Sequence, residues 1–258
     1  MNTILLKHVV LKGKQKDILI KGNRIAVIAD SIPVNAKREI DCTGKSVIPG
    51  FINMHTHSAM SLMRGLSEDV PLTEWLNKIW AIEKNLQKEQ VYWGAKLAIL
   101  EMIKTGTTCF LDMYWMSPQV AQAVEEMGNR AVLTYVFLDH SDTEKAEKQK
   151  SECIRLHGHS ESWHKRCKFG VSIHADYTVS PHTMVWASGF AKENGLILNT
   201  HMSETEQEVL KDKEKHGKSP VAYYDSLGIL DSNVIAAHAL WLDDEDIENQ
   251  MFDENQIQ

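Results

Sequence analysis

Two histidines with the spacing of metal ligands follow an apolar segment early in the chain. His55 and His57 come directly after the run PGFINM, with a single residue between them. On an extended strand, residues two positions apart point to the same side. Two neutral imidazoles on one side, joined by a third from another strand, can form a Zn²⁺ or Fe²⁺ site with open positions for water. An isolated H-x-H pair usually lies in a loop or on a sheet face without metal, so the hypothesis depends on the other histidines.

Three more histidines stand at the ends of apolar segments farther along the chain, namely His174, His201 and His238. Glu204 lies three residues after His201, where a carboxylate could take a proton from a metal-activated water and pass it to a leaving group. Structural alternatives stay open for two of these residues. His174 could simply cap a strand through a hydrogen bond. Glu204 could begin a helix, because Ser203 and an acidic first turn suit a helix N-terminus.

The segments that must position these side chains alternate between apolar runs and amphipathic helical patterns. The strand candidates are 46–55, 107–113, 130–139, 167–176, 196–204 and 233–241. Continuously apolar strands separated by helices predict a parallel sheet covered by helices. Six such units favour a TIM-type (β/α) barrel, incomplete because such a barrel needs eight strands and about 250 residues. A doubly wound open sheet is the alternative, but no G-x-G-x-x-G follows the first strand. In a barrel the C-terminal strand ends share one rim, which would bring the histidines together.

The first part of the chain has a different sequence pattern. Residues 1–48 contain short β-branched runs broken by Gly, Asn and Asp, which predict small antiparallel strands with tight turns. We therefore predict a small β subdomain at 1–48 and a (β/α) barrel at 49–258.

Composition excludes several classes of protein. The formal charge is −7, from 35 acidic and 28 basic side chains, which argues against a nucleic-acid-binding surface. No apolar run reaches the roughly 18 residues needed to cross a bilayer. The four cysteines are scattered without a C-x-x-C pair, so we expect reduced thiols in a cytoplasmic protein.

Several motifs, in this order, resemble the amidohydrolase superfamily, and within it the 5-methylthioadenosine/S-adenosylhomocysteine deaminases. The motifs are VIPGFINMHTHSAMSLMRG, PLTEWL, GTTCFLDMY, HADYTVSP, HMSETEQEV and AAHALWLDDEDI. The resemblance implies a TIM barrel with a small β-sandwich and one divalent metal per subunit, usually zinc, with iron as the alternative. It implies His55, His57 and His201 as the metal ligands.

The resemblance also implies roles for four other residues. Glu204 would be the proton shuttle, and His238 would orient the attacking water and the developing tetrahedral centre. Glu83, which from sequence alone reads as a surface helix glutamate, would bind the ribose, and His174 would contact the substrate. The surroundings of His174 commonly read H-A-P-Y-T, whereas this chain has Asp176 in place of the proline.

The implied reaction is hydrolytic deamination at C6 of an adenine ring in a nucleoside substrate. Water attacks the ring carbon, Glu204 relays the proton, and ammonia leaves. Homo-oligomerisation is left open, and neither a nucleic-acid nor a membrane partner is expected. One alternative is another amidohydrolase, such as a guanine deaminase or a triazine-type chlorohydrolase. The other is a non-catalytic fragment that keeps metal or nucleoside binding or acts as an assembly partner.

The superfamily completes its metal site with an aspartate at the end of strand eight. The pattern is lost after Ile247, and Asp253 stands in a polar tail without an apolar strand before it, so we do not assign it that role. Six strands cannot close an eight-stranded barrel, so we expect exposed edges and apolar flanks at strands one and six. We therefore expect impaired or absent deaminase activity in the isolated chain, unless a partner chain supplies the rest.

Overall fold

The computed structural model describes residues 2–230 and 233–248. The chain divides into two units, one ending at Gly50 and the other beginning at Phe51. Asp253 and the end of the predicted 49–258 range lie outside the described residues. None of the described helices is long and apolar enough to cross a membrane.

The first unit is a four-stranded sheet in the order β3-β2-β1-β4. Its strands are β1 (Thr3–Leu11), β2 (Lys14–Lys21), β3 (Arg24–Ala29) and β4 (Arg38–Asp41). β1, β2 and β3 form antiparallel hairpins, as predicted, with Gly13 and Gly22 at positive φ in the two tight turns. The prediction was wrong for β4, which pairs parallel to β1. The connection after β3 carries the chain across to the far edge of the sheet, so β4 enters in the same direction as β1.

The second unit is built on a six-stranded sheet in which every neighbouring pair is parallel. Its strands are β5 (Phe51–Thr56), β6 (Thr107–Met113), β7 (Arg130–Phe137), β8 (Cys167–Ile173), β9 (Leu198–Met202) and β10 (Val234–His238). Their order in the sheet is their order in the chain, which is the arrangement of a (β/α) barrel. The predicted incomplete TIM-type barrel is therefore confirmed.

Helices connect these strands and cover the sheet. They are α1 (Leu72–Glu83), α2 (Lys88–Thr105), α3 (Ser117–Met127), α4 (Thr143–Ser160), α5 (Pro181–Glu193), α6 (Glu206–His216), α7 (Pro220–Ser226) and α8 (Asp244–Asp246). A short 3₁₀ segment, Ser58–Met63, follows β5. α2 and α3 end at Gly106 and Gly128 with φ of 88° and 90°, the left-handed conformation that glycine adopts at helix C-termini.

Apolar side chains of the strands pack against the covering helices in two clusters. Phe110 and Leu133 belong to one cluster against α2 and α3, and Val171 and Leu198 belong to another against α5 and α7. The sheet curls so that its two edge strands approach each other: the ring centroids of His55 on β5 and His238 on β10 are 5.1 Å apart. Because of this curvature, the C-terminal ends of β5 and β10 lie close together.

Four strands stop earlier than the sequence predicts. β7 ends at Phe137, β8 at Ile173, β9 at Met202 and β10 at His238, where the predicted segments continued for two to three further residues. Ser203 and His238 have φ of 49° and 70°, and a chain in this conformation leaves the pleated path of a strand. The five histidines singled out by sequence and Glu204 therefore lie at the last two positions of a strand or in the one or two residues after it.

Candidate metal centre

Four histidines from three strands meet at the C-terminal rim of the sheet. His55 lies on β5, and His57 follows it just before the 3₁₀ segment. His201 lies on β9 and His238 ends β10. One ligand atom each from His55, His201 and His238 lie within 4.8 Å of one another.

His57 joins the same group through its contact with His201. The Nε2 atoms of these two rings are 3.2 Å apart. The Nδ1–H of His57 donates to the carbonyl of Met113 at 2.7 Å, and the Nδ1–H of His201 donates to the carbonyl of His174 at 2.7 Å. With Nδ1 protonated, each neutral ring presents the lone pair of Nε2, which is the form that binds metal.

The surroundings keep the imidazoles of His55, His57 and His201 uncharged. Burial, together with His57 and His238, lowers the pKa of His55 to about 3. Burial also lowers the pKa of His57, and it lowers that of His201 well below the usual value, helped by the neighbouring histidines. A cluster of neutral imidazoles is a set of donors ready for a cation, because metal binding need not first remove protons.

Two features of the polar atoms fit a divalent metal ion. The Nδ1 atom of His55 is buried and has no hydrogen-bond partner among the residues that the structure describes. The 3.2 Å between the Nε2 atoms of His57 and His201 is close to the ~3.3 Å separating two ligands that each lie ~2.0–2.1 Å from one tetrahedral zinc. Without a cation, two lone pairs at this distance would face each other unfavourably. The group is therefore compatible with a divalent metal.

Asp112, which sequence reasoning missed, holds the turn that carries the H-x-H pair. Its buried carboxylate accepts hydrogen bonds from the backbone N–H of Ser58 at 2.6 Å, from the Ser58 hydroxyl at 2.8 Å and from the Thr56 hydroxyl at 2.9 Å. Burial raises the pKa of Asp112 to about 6, although these hydrogen bonds oppose the rise. The only sequence signal was an acidic residue inside the otherwise apolar run TTCFLDM.

Glu204 lies beside the imidazole group. Its Oε1 is 3.6 Å from Nε2 of His238. Burial raises the pKa of Glu204, while the charge of His238 opposes the rise. The helix that follows begins at Glu206 and is capped by the Thr205 hydroxyl, so Glu204 precedes the helix instead of opening it.

Glu83 faces a cavity beside the imidazole group. The prediction from sequence alone, that it is a surface glutamate of a helix, is therefore wrong. It is the last residue of α1 and is half-buried. Its Oε1 accepts a hydrogen bond from the hydroxyl of Tyr114 at 2.7 Å, and burial raises its pKa. Tyr114 follows β6 directly and is itself buried, and sequence reasoning had not selected it.

His174 is buried next to His201, with ring centroids 4.9 Å apart. Its Nδ1 is 2.9 Å from the hydroxyl of Thr178, which itself donates to the carbonyl of Ala175. The Nδ1–H of His174 therefore donates to that hydroxyl. Asp176, which stands in place of the proline, is buried next to Asp212 of α6 and does not line the cavity.

A cavity of about 220 Å³ connects these residues. Every residue singled out by sequence lines it: His55, His57, Glu83, His174, His201, Glu204 and His238. Its other walls are largely apolar and include Trp75 and Trp80 of α1. A cavity with apolar walls and a few converging polar groups suits a flat aromatic ligand with polar edges.

The sequence from residue 46 to residue 257 matches the family model described as "Amidohydrolase family". The chain belongs to the amidohydrolase family. This amidohydrolase is 47% identical over 240 residues to a 5-methylthioadenosine/S-adenosylhomocysteine deaminase of Thermococcus sibiricus, a match covering 92% of the chain and 57% of the relative. It is 40% identical over 241 residues to a 5′-deoxyadenosine deaminase of Methanothermobacter thermautotrophicus, covering 91% of the chain and 56% of the relative.

A solved structure confirms the fold of this amidohydrolase. It is an adenosine deaminase from Xanthomonas campestris with bound zinc, with a TM-score of 0.84 and 26% identity. The match covers 95% of the present chain and 59% of the solved one. The chain thus spans somewhat more than half the length of the proteins it matches.

Proposed function

We propose that this amidohydrolase chain carries the metal site and most of the nucleoside site of a hydrolytic deaminase of adenosine thioethers. The substrates would be 5-methylthioadenosine and S-adenosylhomocysteine, and the products the inosine analogues and ammonia. The observation that carries the proposal is the placement of Glu204 and Glu83 on the same cavity as the imidazole group. The named relatives support the substrate class.

In this proposal His55, His57 and His201 hold one divalent metal, with zinc favoured by the resemblance. When bound, such a metal supplies Lewis-acid activation of a water molecule at neutral pH. The hydrogen bonds from His57 to Met113 and from His201 to His174 keep both rings oriented for this task.

Glu204 moves the proton. Its carboxylate accepts a proton from the attacking water and delivers it to the purine as the amino group leaves. The raised pKa of Glu204 serves both steps, because a proton relay works best when its pKa approaches the working pH. His238, 3.6 Å from Glu204, is placed to orient the oxygen that adds to the ring carbon.

Glu83 and His174 bind the nucleoside. The Glu83 carboxylate accepts hydrogen bonds from ribose hydroxyls, and the Tyr114 hydroxyl holds it in place. Since Nδ1–H of His174 is used by Thr178, its Nε2 remains an acceptor for the substrate. Trp75 and Trp80 provide apolar surface for the ring system.

The test is to purify the 258-residue chain, measure bound metal, and follow ammonia release from 5-methylthioadenosine, S-adenosylhomocysteine and guanine. We expect about one zinc per chain, lost in His55→Ala, and preference for the adenosine thioethers over guanine. In Glu204→Gln we expect metal to be kept and turnover to fall by about 10²- to 10⁴-fold, leaving a measurable residual rate. Turnover of guanine alone would favour the other amidohydrolase class, and nucleoside binding without any turnover would favour a non-catalytic fragment.

A further inference from the structure

We propose that Glu208 is a positioning residue for the proton relay, acting through the backbone of Ser203 and Glu204. This inference rests on the proposed function, since it assigns Glu204 the relay. Glu208 lies on the first turn of α6 and is 8% exposed. It does not touch the imidazole group, so any influence on the reaction must pass through the segment it holds.

The carboxylate of Glu208 binds two consecutive backbone amides. Its Oε1 accepts from the N–H of Ser203 at 2.8 Å, and its Oε2 accepts from the N–H of Glu204 at 3.0 Å. Glu208 is itself fixed, because its backbone N–H donates to the Thr205 hydroxyl at 3.2 Å. The carboxylate therefore clamps the turn between β9 and α6.

This turn needs external support. Ser203 is fully buried and has a φ of 49°, a conformation that non-glycine residues rarely adopt. Its carbonyl accepts hydrogen bonds from the N–H groups of Leu240 and Trp241 at 3.1 Å each. The turn is thus held on one side by Glu208 and on the other by the loop that follows His238, so both partners of the Glu204–His238 contact depend on it.

The chemistry of the clamp requires a carboxylate. Two adjacent N–H donors converge on one side chain, and only a carboxylate offers an acceptor oxygen to each. Glutamine has the same shape but offers one oxygen and one NH₂ donor. Glu208→Gln therefore breaks one of the two hydrogen bonds without removing volume.

The first experiment measures amide hydrogen exchange in the full 258-residue chain. In Glu208→Gln we expect exchange at Ser203 and Glu204 to accelerate by about tenfold, because one amide loses its acceptor. Glu206→Gln is the matched control, since Glu206 is an exposed residue in the same helical turn. Equal exchange rates in wild type and Glu208→Gln would overturn the proposal.

The second experiment is a double-mutant cycle with Glu204. In Glu208→Gln we expect kcat for 5-methylthioadenosine to fall by about tenfold, with KM changed less than about twofold and bound zinc unchanged. In the Glu204→Gln background, Glu208→Gln should cause no further loss, because its effect passes through Glu204. The same loss in both backgrounds, or a loss of zinc, would overturn the proposal.

The two experiments separate this inference from the proposed function. If the wild-type chain binds neither zinc nor an adenosine thioether, the proposed function fails. If it binds them without turnover, it is a non-catalytic fragment. In both cases amide exchange alone decides whether Glu208 holds the turn. If deamination is observed, both the exchange and the cycle must agree.

Discussion

At the scale of single residues, the ligand set can be decided by comparing His57 with His238. The resemblance names His55, His57 and His201, whereas the group of ligand atoms within 4.8 Å contains His238 in place of His57. We expect His57→Ala to weaken zinc binding by at least about 100-fold. We expect His238→Asn to keep about one zinc per chain while turnover falls by more than about 100-fold. Competition with a zinc chelator measures the first effect, and loss of zinc from His238→Asn would contradict the assignment.

Tyr114 is the residue through which the nucleoside site can be weakened without touching the metal. Tyr114→Phe removes the hydroxyl that donates to Glu83, and one such hydrogen bond to a charged group contributes about 1.5–3 kcal/mol. We expect 5-methylthioadenosine to bind about tenfold or more weakly, measured by calorimetry on the zinc-loaded chain. Tyr92→Phe is the control, because its hydroxyl donates to Glu126 on the outside of the sheet. Equal affinity in Tyr114→Phe and wild type would contradict the role of Glu83.

These residues also show how far sequence alone reaches into the site. Every histidine and glutamate that lines the cavity was selected, because each ends an apolar segment or matches a motif. Asp112, Tyr114 and Glu208 were not selected. Two of them act on residues more than thirty positions away along the chain, Asp112 on Ser58 and Tyr114 on Glu83. No local spacing encodes such pairings, which exist only once strands and helices have met.

At the scale of elements, the packing of α2 against the 3₁₀ segment is the tightest contact near the site. A Cβ atom added to Gly94 would lie 2.5 Å from the backbone carbonyl oxygen of Ala59. We expect Gly94→Ala to lower the free energy of unfolding by about 1–3 kcal/mol, although alanine favours helix. Gly189→Ala, in a helix interior with nothing within 4 Å, should instead stabilise by about 0.4–1 kcal/mol. Chemical denaturation measures both, and the same sign for the two variants would contradict the explanation.

α6 carries a second buried carboxyl, Asp212, which should make stability depend on pH. Burial raises the pKa of Asp212 above 3.8, with further contributions from Asp176 and Glu208. A carboxyl whose pKa is raised by folding contributes its full stability at pH below about 4, and that contribution is lost as pH rises through the folded-state pKa. The folded chain should therefore lose stability from weakly acidic to alkaline pH.

Asp212→Asn removes this ionisation while keeping the shape of the side chain. We expect Tm to fall less steeply with rising pH in this variant. At alkaline pH, each kcal/mol regained in the free energy of unfolding should raise Tm by about 2–4 °C. The exposed Glu214 of the same helix provides the control variant, Glu214→Gln. Parallel curves of Tm against pH for wild type and Asp212→Asn would contradict the prediction.

The elements themselves were largely predictable. Long apolar strands and amphipathic helices have strong periodicity, and all six parallel strands were found from it. The strand ends were less predictable, because Ser203 and His238 leave the strand through a positive φ that no residue preference for these types indicates. The parallel pairing of β4 was missed because pairing direction depends on where the preceding connection crosses the sheet.

At the scale of the whole molecule, a bound metal would join the edge strand β5 to β9, the strand next to the opposite edge of the six-stranded sheet. His55 and His57 come from the β5 side and His201 from β9, with His238 on β10 at the other edge. A ligand that binds only the folded state at about 100 times its Kd stabilises it by about 2.7 kcal/mol. We therefore expect zinc to raise Tm by about 5–11 °C, and a chelator to reverse the rise. The same rise in His55→Ala would show that zinc acts elsewhere.

The edge strand β5 is also the most exposed apolar part of the sheet. Phe51 and Ile52 are 58% and 63% exposed in the described chain. Exposed apolar flanks were expected at the edge strands of a six-stranded sheet, and β5 shows them.

The hydrogen bonds made by the imidazole rings of His57 and His201 have a consequence for protein design. The acceptor for His57 is the carbonyl of Met113 at the end of β6, and the acceptor for His201 is the carbonyl of His174 just after β8. Each of these two rings therefore depends on a backbone carbonyl of a neighbouring strand, in addition to the side chains that hold its own strand in place. A shift of β6 or β8 by one residue would remove that acceptor and turn the ring away from the metal, even if every side chain of the site were kept.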